Sequence, residues 1–194
     1  VDFEEIKQHL REKFNMEGFS DFEMEQKAVS YALYPKVYED YCTHFEAYND
    51  VTTLESHVYF YGLRKGEETV LTLTEPEWAA GLTARITGEE GALEYDGLIL
   101  ETGPLDGEDL SPMSALPQLL EAARSGYMAE CTLEEGEQRT LLQVRYADPD
   151  QPPGEGRETT LWFDPDTHAL VEGEISVDGL RVIRCTISEF TIGS

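Results

Sequence analysis

After Asp50 the chain is a succession of short β-prone runs separated by turn residues, and this pattern limits the fold more than any other feature. The runs end at Gly, Asp or Pro, as expected for successive antiparallel hairpins. The clearest case joins Ala92–Tyr95 to Leu98–Glu101 through Asp96-Gly97, a dipeptide that tolerates the positive φ of a type I′ turn. The pattern therefore predicts an antiparallel β-sheet.

The other strands are predicted from the same signals. They lie at about residues 54–63, 69–73 and 81–87 before the hairpin, and at about 127–133, 140–146, 157–163, 170–177 and 180–192 after it. The loop Asp148–Gly156 contains three prolines and two glycines, so we expect it to be a mobile surface excursion. The second half of the chain is thus predicted to be mostly strand and turn.

The N-terminal part has a helical pattern instead. Residues 1–35 are expected to form a helical segment, with one amphipathic helix over Asp2–Phe14 and a second that starts at the capping box Ser20/Glu23 and ends near Tyr34. A third helix is predicted after Pro35. Its apolar face would carry Val37, Tyr38, Tyr41, Phe45 and Tyr48.

One more helix interrupts the strands, at about residues 111–125. Ser111 is a suitable cap, Pro112 suits the first helical position, and Gly126 is a typical residue just after a helix. Pro117 lacks a backbone donor, so the helix is expected either to kink there or to begin near Ser114.

The charge of the chain excludes some partners. Forty acidic residues against fourteen basic ones give a formal net charge of -26, which repels phosphate backbones and anionic bilayers. Nucleic acid is therefore not expected as a partner. No apolar run approaches the length of a membrane span, so we expect a soluble chain. Because the first residue is Val1 and not methionine, an upstream leader with a lipid-anchored cysteine is left open.

Residues that carry chemistry are scattered. His9, His44, His57 and His168 have no second metal ligand at a useful spacing, and no nucleophile elbow, phosphate-binding glycine loop or HExxH motif is present. The sequence therefore predicts no catalytic residue, no cofactor and no metal site, and we interpret the chain as a non-enzyme.

Three alternatives stay open at this point. The three cysteines are read as core thiols, but a disulfide between Cys131 and Cys185 is possible because both lie in strand-like segments. Oxygen ligands for calcium are available in an acidic cluster, and two distant carboxylates could form a hydrolase site. The cluster consists of Asp148, Asp150, Glu155, Glu158, Asp164 and Asp166.

The order of elements resembles a known family. The stretch Thr74–Ile86, the hairpin turn Tyr95–Leu98, the helix start Leu110–Pro112 and the strand and turn Leu161–Pro165 are similar to the LolA/LolB-like lipoprotein-carrier fold. The resemblance extends to its Gram-positive lipoprotein relatives, including a spore-germination lipoprotein, and covers residues 38–192.

The resemblance implies an α+β fold in which a strongly curved antiparallel sheet, an incomplete barrel, has helices on its concave side. The N-terminal helices predicted above would precede this sheet, and in them the chain departs from the carriers. The sheet domain would span 36–194, with the inserted helix near 111–125. In that family the open barrel encloses an apolar cavity. We therefore expect an extracytoplasmic lipoprotein domain of the cell envelope that binds a hydrophobic ligand, such as a lipid acyl chain, or an envelope protein.

Apolar residues of the predicted sheet and inserted helix are the candidates for the ligand cavity, although core packing would account for them equally well. They are Leu98, Leu100, Leu116, Leu119, Leu120, Leu142, Val144, Trp162, Ile175 and Val177. The alternative is an interaction protein with a filled core that docks through its N-terminal helices. Exposure of Phe19, Phe22, Tyr31 and Tyr34 would favour that alternative.

Overall fold

The computed structural model describes residue 8 and residues 41–49, 58–87, 90–103, 112–167 and 169–192. Apart from Gln8, the helices predicted within residues 1–35 lie outside these ranges, and so do the aromatic residues proposed for docking. The description below concerns the sheet and the inserted helix.

The described residues form one antiparallel sheet and one α-helix, as the turn pattern predicts. The strands are β1 (Tyr41–Asn49), β2 (Val58–Lys65), β3 (Glu68–Glu75), β4 (Thr83–Thr87), β5 (Glu90–Tyr95), β6 (Leu98–Glu101), β7 (Met128–Glu135), β8 (Thr140–Ala147), β9 (Arg157–Phe163), β10 (Leu170–Val177) and β11 (Leu180–Ile192). Helix α1 spans Pro112–Ser125, and a short 3₁₀ helix, Glu77–Ala79, lies between β3 and β4.

Two meanders, β1–β6 and β7–β11, make up the sheet. Its strand order is β6-β5-β4-β3-β2-β1-β11-β10-β9-β8-β7, so the pairing of β1 with β11 joins the two halves. The edge strands β6 and β7 do not pair with each other in the described part of the chain. The sheet is therefore open, not a closed barrel.

The third predicted helix is wrong, because residues 41–49 form strand β1. Along this strand Thr43, Phe45 and Ala47 are buried and His44 is exposed, which is the period of two that a strand requires. The spacing of four between Tyr41 and Phe45 fits a strand as well as a helix, whereas the spacing of three between Phe45 and Tyr48 fits only the helical period. Pairing with β2 on one side and β11 on the other satisfies the backbone of β1.

The predicted hairpin and inserted helix are confirmed. Asp96 and Gly97 have φ angles of 49° and 78°, as a type I′ turn requires. Helix α1 begins at Pro112 and continues through Pro117 to Ser125. The residues within and next to each of these two elements were sufficient to predict it.

Helix α1 packs on one face of the sheet, against β1, β9, β10 and β11. At Gly173 a Cβ atom would lie 2.5 Å from a Leu119 methyl group, so the helix comes close to the sheet backbone here. The buried helix residues are Ala115, Leu116, Leu119, Leu120 and Ala123, and the sheet contributes Val144, Leu161, Phe163, Ile175, Ile183 and Cys185, among others. The part of the sheet face that α1 covers is therefore filled with packed core side chains.

The disulfide between Cys131 and Cys185 that the sequence left open does not form, because both thiols are free. Cys185 is a core thiol as predicted, but Cys131 is exposed. The pairing register places Cys131 opposite Val144, then Leu161, Gly173 and Cys185 on successive strands. Four strand spacings of about 4.8 Å separate the two cysteines along the sheet, whereas a disulfide needs Cα atoms about 4.4–6.8 Å apart. Burial raises the pKa of the Cys185 thiol, which favours its unreactive neutral form.

Several carboxylates of the acidic cluster bind backbone amides. Asp148 accepts a hydrogen bond from the Asp150 N–H at 2.9 Å, and Glu158 accepts one from the Gly154 N–H at 2.8 Å. Asp164 accepts from the N–H groups of Asp166 and Thr167, both at 2.9 Å, and these bonds lower the pKa of its carboxyl group. We therefore assign these acids to turn formation. The described residues contain no group of three or more acidic, histidine or cysteine side chains arranged to hold a metal ion.

Candidate functional site

The structure separates the predicted cavity residues into three groups. The first group is fully buried and consists of Leu116, Leu119 and Leu120 on α1 and of Val144 and Ile175 on the sheet beneath it. Leu142 and Val177 lie at the margin of the same core. Trp162 lies on the opposite face of the sheet, where its indole N–H donates to a Glu134 carboxylate oxygen at 2.8 Å. Leu98 and Leu100 form the third group, at the sheet edge.

Leu100 belongs to a row of apolar residues that runs from the core to the edge of the sheet. Leu71 pairs with Ala84, Ala84 with Leu93, and Leu93 with Leu100, so all four side chains point to the same face. Leu71 and Ala84 are completely buried and Leu93 is partly buried, whereas Leu100 is 65% exposed. The core face therefore loses its cover toward β6.

A neighbouring row follows the same trend. Leu98 pairs with Tyr95 and is 76% exposed, and Tyr95 is 46% exposed. We call this uncovered part of the core face the apolar shelf, and define it by Leu82, Ile86, Leu93, Tyr95, Leu98 and Leu100. Leu82, Ile86 and Leu93 pack against the buried core at the inner side of the shelf. The shelf is thus an extension of the core that the described residues leave in contact with solvent.

Such a surface can bind an apolar group without covalent chemistry. Covering one exposed leucine completely contributes about 1.5–3 kcal/mol, so two leucines and a tyrosine ring offer a useful binding free energy. The shelf is flanked by edge strand β6, beyond which no described strand continues the sheet. A long apolar chain could therefore approach from that side.

The opposite face of the sheet contains a polar groove. It is an open pocket of about 600 Å³ at the start of β2 and the end of β3, beside the middle of β1 and the C-terminal part of β11. Its lining residues are His44, Phe45, Tyr59, Phe60, Thr74, Glu75, Ser188 and Glu189. Two aromatic core residues thus lie beneath a polar rim.

Two β-bulges shape this groove. The β1–β11 register skips Ser188 and the β2–β3 register skips Thr74, so each is the extra residue of a bulge. The Ser188 hydroxyl donates to the His44 carbonyl at 3.0 Å, and the Thr74 hydroxyl donates to the Tyr59 carbonyl at 3.1 Å. A hydroxyl residue therefore stabilises each bulge.

The groove does not bring a catalytic pair of carboxylates together. Glu75 on β3 and Glu189 on β11 are three strand spacings apart, about 14 Å along the sheet. Carboxylate pairs in glycosidases are about 5–9.5 Å apart. The His44 imidazole lies 3.9 Å from a Glu189 carboxylate oxygen, and the side chains of this ion pair are at least half-exposed. The ring centroids of His44 and Tyr61 are 4.9 Å apart. This geometry argues against the hydrolase alternative at the groove.

Tyr59 has a raised pKa because negative charges surround its phenol. The largest cause is the charge of Glu46, and the others are burial, the charge of Glu75 and a hydrogen bond to Glu46. Ionisation would add a second negative charge beside Glu46. The neutral phenol is therefore favoured to a pH above its ordinary pKa of 10.0.

We expect Glu46→Gln to move the pKa of Tyr59 back toward the ordinary value. The substitution removes the nearest negative charge, which carries the largest share of the effect. Titration of ring-labelled tyrosine by NMR, with Tyr59→Phe to assign the signal, measures the change. Glu189→Gln is the control, because Glu189 is not among the groups that raise this pKa. An unchanged Tyr59 pKa in Glu46→Gln would contradict the assignment.

Comparison with known proteins shows two different likenesses. The family model described as "Conserved carboxylase domain" matches residues 1–78. Over 68 residues the chain is 48% identical to pyruvate carboxylase of Bacillus subtilis, which is 35% of this chain and 6% of the enzyme. It is 39% identical over 67 residues to pyruvate carboxylase of Staphylococcus aureus, covering 34% of this chain and 5% of that enzyme. This chain therefore spans only a small part of its curated relatives.

Solved structures match most of the chain at low identity. An uncharacterised conserved protein of Thermus thermophilus has a TM-score of 0.53 and 7% identity, over 86% of this chain and 88% of that one. The Pseudomonas aeruginosa MucA/MucB complex gives a TM-score of 0.51 and 12% identity, over 86% of this chain and 58% of that one. Both show a shared fold.

A LolA superfamily protein of Nitrosomonas europaea is also among the structural neighbours. The match covers 85% of this chain and 94% of that one, with 10% identity and a TM-score of 0.46. The spore-germination part of the resemblance stays a prediction.

Sequence patterns did not reveal the carboxylase likeness or the polar groove. The likeness depends on which residue occupies each position of 1–78, and the spacing of apolar residues does not contain that information. The groove combines residues from β1 and β11, which are about 140 positions apart, as in the pairing of His44 with Glu189. The hydroxyls of Ser188 and Thr74 were the available signal, but only the register identifies them as bulge residues.

Proposed function

We propose that this chain is a non-enzymatic binding domain of the cell envelope whose apolar shelf takes a hydrophobic ligand such as a lipid acyl chain. The observation that carries the proposal is the apolar core face that continues, uncovered, onto β5 and β6. Leu98 and Leu100 are largely exposed although they point to the same face as the buried Leu71 and Ala84. A contiguous apolar surface of this kind commonly marks a binding site.

The resemblance to the LolA-type carriers supports the proposal. In that family an open barrel encloses an apolar cavity, and the described sheet of this chain is open as well. In this chain, however, the face beneath α1 is filled, and Gly173 allows Leu119 to approach the sheet closely. The ligand would therefore bind at the β4–β6 end. An extracytoplasmic location belongs to the same proposal, and no helix in the described ranges is long and apolar enough to cross a membrane.

A protein partner is the second candidate. It is favoured by the likeness to the MucA/MucB complex of Pseudomonas aeruginosa, which is a protein–protein assembly. An apolar segment of an envelope protein would cover the same shelf. Saturable binding of a lipid probe, or its absence, distinguishes the two candidates.

For the carboxylase-like residues we propose a structural role. The match includes β1, β2 and β3, which lie in the middle of the sheet, and β1 connects its two halves. A match to 6% of the Bacillus subtilis enzyme does not supply a complete carboxylase. In this chain the segment would therefore build the sheet that presents the shelf.

The test compares two aspartate substitutions on one strand. The purified protein is titrated with a fluorescent fatty acid, and native mass spectra are recorded to detect co-purified lipid. We expect saturable one-site binding, weakened tenfold or more by Leu100→Asp, because covering a leucine contributes about 1.5–3 kcal/mol and each 1.4 kcal/mol changes the Kd tenfold. Leu100 points to the shelf face.

Ile99→Asp is the matched control. Ile99 is 69% exposed, adjoins Leu100 on β6 and points to the opposite face, so the substitution adds the same charge away from the shelf. We expect its affinity to stay within about twofold of the unsubstituted protein, because charge alone acts weakly at exposed positions. Equal loss in both variants, or no saturable binding in the unsubstituted protein, would rule out the shelf as a lipid site.

A further inference from the structure

Strand β6 leaves one side of its backbone unpaired by any described strand. All four of its residues, Leu98–Glu101, are exposed, including three consecutive large apolar residues. Proteins usually protect such an edge with lysine, proline, a bulge or a covering segment, because it is a template for another strand. Neither lysine nor proline occurs in β6.

The hairpin register shows which backbone groups face outward. Across a two-residue type I′ turn the flanking residues, here Tyr95 and Leu98, form a hydrogen-bonded pair, and such pairs alternate with non-hydrogen-bonded pairs along the ladder. The Thr102 N–H donates to the Gly91 carbonyl at 2.9 Å, in agreement with this alternation. The backbone N–H and C=O groups of Leu98, Leu100 and Thr102 therefore face β5, whereas those of Ile99 and Glu101 point away from it.

We propose that this edge adds an extended polypeptide segment of a basic partner as a further strand beside β6. The backbone groups of Ile99 and Glu101 would supply the hydrogen bonds, as in other cases of strand addition. Side chains of the added strand on the shelf side would lie beside Leu98 and Leu100 and would be apolar. Those on the other side would lie beside Ile99 and Glu101 and would be lysine or arginine.

Charge identifies the class of partner. Residues 90–103, which contain the β5–β6 hairpin, carry Glu90, Glu94, Asp96 and Glu101 and no lysine or arginine. Arg85 on β4 is ion-paired with Glu94 at 3.2 Å and with Glu68 at 3.4 Å, so these two acids already compensate its positive charge. An added strand with basic residues on the face opposite the apolar shelf would compensate the charge of Glu101, the acid on the edge strand itself.

The same charges disfavour a second copy of this chain at the edge. Pairing two copies would bring together two bodies of formal charge -26 and two acidic hairpins. A basic segment has no such penalty. The inference does not require lipid binding at the apolar shelf, because the edge is recognised through its backbone.

The test uses a short capped peptide of alternating valine and lysine. We expect it to bind the intact protein and expect Ile99→Pro to weaken binding about tenfold, because proline removes the outward N–H without removing a β5–β6 hydrogen bond. Ile99→Thr keeps the donor and is the matched control, with affinity expected within about threefold. Equal peptide affinities for the proline and threonine variants would overturn the proposal.

Two peptide controls use the unsubstituted protein, so they decide the question even if the proline variant folds poorly. A peptide of the same composition with its lysines clustered separates strand addition from general attraction to an acidic protein. A peptide N-methylated at alternate residues cannot donate along one edge. We expect both to bind at least about tenfold more weakly, and binding equal to that of the alternating peptide in either case would refute strand addition.

Discussion

Truncation of Phe45 to alanine is expected to lower the free energy of unfolding by about 3–5 kcal/mol, the range for removing a buried aromatic ring. Phe45 is 2% exposed, and its ring stacks on that of Phe60 with a centroid distance of 5.0 Å. It lies on β1, between β2 and β11, where the two halves of the sheet meet. A cavity here would weaken the contact between the halves. Chemical denaturation followed by circular dichroism measures the loss.

The control for Phe45 is on the same strand. His44 points to the opposite face and its side chain is half-exposed, so His44→Ala should cost less than about 1 kcal/mol.

Thr43→Asp tests the strand itself, because Thr43 is buried in β1 but would not lie on the apolar stripe of the helix predicted from sequence. Stability unaffected by Thr43→Asp would contradict the observed strand.

Substitution of Gly173 by valine is expected to destabilise the protein by about 1–3 kcal/mol, although valine generally favours strands. The new Cβ would lie 2.5 Å and 2.9 Å from the two methyl groups of Leu119 and 3.1 Å from a methyl group of Leu161. Both leucines are completely buried, so their side chains have little room to move. Helix α1 would have to shift away from β10. The change is measured by the same denaturation experiment.

A double-mutant cycle identifies the cause. Leu119→Ala alone should cost about 2–5 kcal/mol, since it leaves a cavity beneath α1. In the presence of Leu119→Ala, valine at position 173 should cost at least about 1 kcal/mol less than it does alone, because the two residues compete for the same space. Additive losses would mean that steric contact between α1 and β10 is not the reason.

Much of the described fold could be predicted because its signals are local. Asp96-Gly97 specifies its own turn, and Pro112 and Gly126 delimit α1 within a few residues of the backbone groups they affect. Residues 41–49 were predicted wrongly for the opposite reason. Their aromatic residues fit a helical period, and only Tyr41 and Phe45 fit a strand period as well, so the strand depends on pairing with β11, far along the chain.

The candidate site could be predicted only in part. Leu98 and Leu100 were correctly identified as apolar residues of a strand, but their sequence does not distinguish a buried strand from an uncovered one. Their exposure follows from their position on β6, at the end of the strand order. Leu116, Leu119 and Leu120 have the same chemistry, and they are buried because α1 packs onto the sheet at Gly173.

By itself the sequence determined the turns, the inserted helix, the antiparallel character of the sheet and its strong negative charge, because each depends on neighbouring residues or on composition. Only the tertiary structure decided that residues 41–49 form the central strand, that Cys131 and Cys185 are too far apart to pair, and that the apolar face continues uncovered to Leu98 and Leu100. These outcomes depend on register and on strand order. Both are set by contacts between distant parts of the chain, which no local pattern contains.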